Sequence, residues 1–70
     1  MKPELIPANP QTGAPAQIKI TQQYGQSLGL SIETEAIAEK ELLHQEGKPG
    51  ANDLWYRDTP EVRRILRVEE

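Results

Sequence analysis

Four of the six prolines, Pro3, Pro7, Pro10 and Pro15, lie within the first sixteen residues. Proline removes a backbone donor and fixes φ, so neither a helix nor a central strand propagates through such a segment. Residues 1–16 therefore read as a mobile, Pro-rich arm, and the folded unit is expected within residues 17–70. Apolar material is scarce there. Of the 70 residues 36% are hydrophobic, and the aromatic side chains are Trp55, Tyr24 and Tyr56. A chain this short buries roughly 60% of its unfolded surface and ordinarily needs a staple or a partner. There is no cysteine for a disulfide, and the single His44 excludes a histidine-based metal cluster within one chain. A homodimer is the expected way to complete the core, and no metal or cofactor is expected. Little chain remains to frame a pocket, so the expected class is a binding module and not an enzyme.

Eleven acidic residues against eight basic ones leave a net charge of −3. This is not a generally basic protein of the kind that coats nucleic acid. No apolar run approaches the ~20 residues that span a bilayer. No apolar segment follows Lys2, as a secretory signal would require. A cytoplasmic protein with no membrane association is expected.

Within residues 17–33, Ile18 and Ile20, then Leu28, Leu30 and Ile32, alternate with polar residues. Period two puts each set on one face of a strand. Tyr24-Gly25-Gln26-Ser27 separates the runs, and Gly25 can supply the positive φ of a tight connection. The pattern predicts a β-hairpin: strands at about 17–23 and 27–33, with a turn near 24–27. Residues 34–46 then read as a helix capped by Thr34 and ended by Gly47 and Pro49, with His44 near its negative end. Lys48 to Asp53 is a turn-rich loop, and Leu54-Trp55-Tyr56-Arg57 has strand chemistry. Asp58-Thr59-Pro60-Glu61 is a helix-start signature, although the same residues can turn a returning strand over Val62–Val68; helix is favoured. The expected fold class is thus α+β: a small β-hairpin followed by a helix, then a C-terminal strand and helix or strand, as an interleaved homodimer.

Ile18-Lys19-Ile20-Thr21-Gln22-Gln23-Tyr24-Gly25-Gln26-Ser27-Leu28-Gly29-Leu30-Ser31-Ile32, with an alanine-rich helix next, resembles the opening of the swapped-hairpin antitoxins, MazE- and AbrB-like. Tyr24 matches that family's aromatic position and Gly25-Gln26-Ser27 its Gly-Asn-Ser turn, with Leu30 and Ile32 at buried strand positions. The resemblance covers residues 18–46. It implies interleaved strands from two chains, DNA contacts around the turn, and a toxin-like protein partner held by a second segment. Gln23, Ser31 and Glu33 stand where the family has a basic residue, an arginine and a proline.

The nucleic-acid reading takes Gln22, Gln23 and Gln26 to base edges, since glutamine pairs bidentately with adenine. It takes Lys19, Arg63, Arg64 and Arg67 to phosphates. A ribbon-helix-helix dimer is a related architecture with the same partner. The alternative reading is a protein-interaction module without nucleic-acid binding. Its anchors would be Trp55, Tyr56 and Arg57, the residue types that dominate interface hot spots.

Overall fold

The computed structural model describes residues 3–68. The elements in chain order are β1 (Glu4–Ile6), β2 (Gln17–Thr21), α1 (Gln22–Ser27), α2 (Ile32–Lys40), β3 (Leu42–Glu46), β4 (Asp53–Arg57) and α3 (Pro60–Ile65). The strands form one antiparallel sheet in the order β1-β2-β4-β3. Side chains alternate across the sheet. Ile18 and Ile20 of β2 and Tyr56 of β4 face the helices and are buried with Leu28, Ala38, Val62 and Leu66. Ile18, Val62 and Leu66 are at most 1% exposed, each burial favouring the fold by about 1.5–3 kcal/mol. The small α+β class expected from the sequence is the class observed.

The hairpin over residues 17–33 does not form. Its first strand is β2, but the chain then turns into a helix. Thr21 takes an extended N-cap conformation, and its Oγ1 accepts a hydrogen bond from Tyr24 N at 3.1 Å. Gly25, read as a turn residue, lies inside α1, and a Cβ there would meet only Ile20 Cδ1 at 3.6 Å. Gly29 follows the helix with φ 62°, the left-handed conformation that commonly stops a helix and that favours glycine. Ser31 then begins α2: its φ and ψ are −69° and 162°, and its Oγ accepts from Thr34 N at 3.2 Å. The alternation of Leu28, Leu30 and Ile32 is therefore a coincidence of two helix ends. The residues that carry the antitoxin resemblance, 18–32, fold as strand, helix and turn.

The helix expected over 34–46 begins at Ile32 and stops at Lys40, and Leu42–Glu46 becomes the edge strand β3. Gly47 (φ 122°) allows the return: a Cβ there would lie 3.0 Å from Ala51 O and 3.1 Å from Asn52 Cα. In the amide orientation that satisfies both its oxygen and its nitrogen, Asn52 Nδ2 donates to the carbonyls of Gly47 and Lys48 at 3.2 and 2.8 Å. At the C-terminal end the helix expectation holds. Thr59 Oγ1 accepts from Val62 N at 3.1 Å, and Pro60 opens α3.

The N-terminal arm is not free of the sheet. Glu4–Ile6 pairs with β2, with Leu5 opposite Ile18. Pro3 and Pro7 flank this three-residue edge strand, where a missing donor costs least. Residues 9–14 then fold back on themselves: Asn9 N donates to Ala14 O at 3.0 Å.

Candidate functional site

The chain from Thr21 to Lys40 is two short helices joined by a four-residue turn, Leu28–Ser31, and followed by the β3–β4 hairpin. In this segment α1 packs on β2 and α2 on α3, with Gly29 in the turn between the two helices. Its ends are pinned to the rest of the fold. Tyr24 Oη donates to Leu66 O at 2.7 Å, and Arg67 Nη2 donates to Leu28 O at 3.3 Å. Gln22 N donates to Asn52 O at 2.8 Å, which fixes the start of α1 against the hairpin.

At 3.6 residues per turn α2 divides into three stripes. Thr34 and Ala38 turn inward, and Ala38 is buried. Ile32, Glu35, Ala36 and Glu39 line a groove between α1, α2 and the sheet. Glu33, Ile37 and Lys40 form the third stripe, on the solvent side. Ile32 is 86% exposed and Ile37 38%, an uncommon placement for two isoleucines on one nine-residue helix.

The groove has a volume of about 520 Å³. Leu42, Leu54 and Tyr56 form its floor; Gln22 and Gln26 of α1 line the wall opposite the two glutamates. Burial, and then the carboxylates of Glu39 and Glu35, push the Tyr56 hydroxyl above its ordinary pKa. Among the described residues no lysine, arginine or histidine lines this groove.

The opposite face of the sheet carries a cross-strand row. Lys19 stands opposite both Glu4 and Trp55, and His44 stands on the far side of Trp55. Lys19 Nζ is 4.0 Å from Glu4 Oε2 and 5.3 Å from the Trp55 ring centre. The His44 and Trp55 rings are 4.9 Å apart, and His44 Nε2 is 3.5 Å from Glu46 Oε2. A bulge at Leu43 shifts the phase of β3 and brings His44 onto this face.

The residues singled out in the sequence are distributed over these surfaces. Gln22, Gln23 and Gln26 lie on α1, with Gln23 and Gln26 exposed. Lys19, Trp55 and Arg57 share the outer sheet face, and Arg57 Nε reaches Glu41 at 3.5 Å. Tyr56 is not beside Trp55 in space; strand alternation turns it into the core. The arginines of α3 lie on the helical side of the sheet, away from Lys19. Arg63 grips Asp58 through Nε and Nη2 at 2.6 and 2.8 Å, and this hydrogen-bonded pairing lowers the Asp58 pKa. Arg64 is exposed. The solvent stripe of α2 was missed by period-two reading. Its signal was present in Gly29, Ser31 and Thr34: a helix-stopping glycine two residues before a capping serine.

Among the described residues no helix is long and apolar enough to cross a membrane, and no group of three acidic, histidine or cysteine side chains could hold a metal ion. Against protein-family models, curated proteins and solved structures, the chain has no match.

Proposed function

We propose that this chain is a small homodimeric DNA-binding regulator that enters the major groove with α2. The observation that supports this reading is the pair of capped helices across the Gly29 turn, with a hairpin close behind. In helix-turn-helix units the second helix places its N-terminal residues at base edges and the first crosses the backbone. Here the outward stripe of α2 is nearly neutral, with Glu33 offset by Lys40. Glu33 would accept from cytosine N4, while Ile37 suits thymine methyl groups. Gln23 of α1, Lys40 and the hairpin-tip Lys48 would meet phosphates or sugars at the margins. The acids Glu35 and Glu39 lie on the groove stripe and not on this surface. Arg63 is occupied by Asp58, and Lys19 is on the far side of the sheet, so neither belongs to the DNA contact in this reading. Two copies would present two α2 stripes to half-sites one helical turn apart.

The test is a gel-shift series on random-sequence duplex over a range of salt. Binding should weaken as salt rises, because neutralising phosphates releases counterions. Lys40→Ala and Lys48→Ala, each removing one phosphate contact per protomer, should each reduce the slope of log affinity against log salt by about two. Binding that ignores salt, or slopes unchanged in both variants, would refute the assignment.

One observation favours a second reading, a protein-interaction module: Trp55 stands partly exposed on an uncovered sheet face between Lys19 and His44. Tyr56 does not join that anchor, since it is in the core. Under this reading Trp55→Ala abolishes partner capture while duplex binding stays undetectable.

A further inference from the structure

The groove beside α2 has no role in the DNA reading, and its chemistry is specific. Three apolar side chains, Leu42, Leu54 and Tyr56, form the floor. Glu35 and Glu39 stand one helical turn apart along one rim, and no cationic side chain lines it among the described residues. Burial and the two carboxylates together raise the Tyr56 pKa, so the negative field reaches the floor. At the mouth Ile32, 86% exposed, continues the apolar strip out of the groove along α2.

We propose that this groove is a docking site for a basic amphipathic helix of a partner protein. Aliphatic residues at i, i+3, i+4 and i+7 would enter the groove, and flanking lysines or arginines would meet Glu35 and Glu39. The occupant is fixed by charge complementarity: an acidic segment would set like charges beside these carboxylates, and a neutral one would leave the rim unmatched. The volume of about 520 Å³ accepts a few anchor side chains, and the apolar strip at Ile32 requires an occupant that extends past the mouth. A small apolar amine would fill the floor and leave Ile32 wet.

The probe is a synthetic helical peptide with leucine at i, i+3, i+4 and i+7 and lysine elsewhere. Its controls are the same peptide with glutamate for lysine, and a scramble of identical composition. Binding to the full chain is followed by fluorescence anisotropy and by amide chemical shifts. The leucine–lysine helix should bind and shift Leu42, Leu54 and Tyr56; the glutamate peptide should not bind, and the scramble should bind at least tenfold more weakly. The double variant Glu35→Gln/Glu39→Gln should weaken binding about tenfold. Glu46→Gln/Glu61→Gln removes the same charge elsewhere on the surface and should leave it unchanged. Ile32→Ser should weaken it several-fold, and all variants should retain the wild-type circular dichroism. Equal loss in the two double variants, shifts confined to the Trp55 face, or equal binding of the scramble would overturn the proposal. No binding of the leucine–lysine helix would also overturn it. The duplex assay is scored separately through Lys40 and Lys48, neither of which lines the groove, so the two proposals can fail independently.

Discussion

Helices α2 and α3 are both entered through a hydroxyl N-cap, Ser31 and Thr59, with glutamate in the first turn. Their burial is very different. The shorter α3 and its C-cap sink Val62 and Leu66 to 1% exposure or less, whereas α2 buries Ala38 and leaves Ile32 largely and Ile37 partly exposed. Local capping therefore says that a helix starts, and packing decides what it is for. The C-terminal helix closes the sheet and is held at its start by the Asp58–Arg63 pair. The longer helix is carried on the surface by a narrow stripe, Thr34 and Ala38, and its other residues are exposed.

Removing core from α3 should produce the largest effect. Leu66→Ala should cost about 2–5 kcal/mol in urea denaturation, a large part of the stability of any small domain. Ile37→Ala on α2, an equal or smaller truncation in a half-exposed place, should cost far less; similar losses would break the contrast between the helices. The next effect is pH-dependent. Asp58 has a lowered pKa in the folded protein because Arg63 hydrogen-bonds its charged form. Its contribution is therefore complete above the unfolded carboxylate value of about 4 and fades as pH falls through the lower folded value. Asp58→Asn should destabilise the protein at neutral pH and flatten the acid limb of the stability profile. An unchanged acid limb would remove the anchor from α3. The smallest effect is expected at Ile32→Ser, within about 0.5 kcal/mol of wild type, since the side chain is already in water.

Residues 53–65 were legible from sequence because their signals are local. Thr59-Pro60-Glu61 starts a helix, and Leu54, Trp55 and Tyr56 fill β4. Residues 22–33 were not, because two periodicities fit the same letters. Leu28, Leu30 and Ile32 satisfy a strand, while Thr21, Gly29 and Ser31 satisfy a helix stop and two helix starts. The capping hydrogen bonds and the docking of Tyr24 on Leu66 decide for helices, and the second of these joins residues 42 positions apart. β3 was hidden for a similar reason: Leu42–Glu46 is acceptable in a helix, and the edge of β4 recruits it as a strand. The outer sheet face became visible only with register, since a bulge at Leu43 is what sets His44 against Trp55. Of the candidate surfaces, Trp55 lies on the outer sheet face and the glutamines lie on α1, where the sequence expected a strand and turn. The stripe of Glu33, Ile37 and Lys40 needed the correct period.

Amide chemical-shift mapping during titration with a random-sequence DNA duplex tests most directly whether α2 is the reading element. The account predicts that the largest changes fall on the outward stripe of α2, on Gly29–Ser31 and on the hairpin tip around Lys48. Changes centred instead on Lys19, His44 and Trp55, or no changes at low salt, would contradict it.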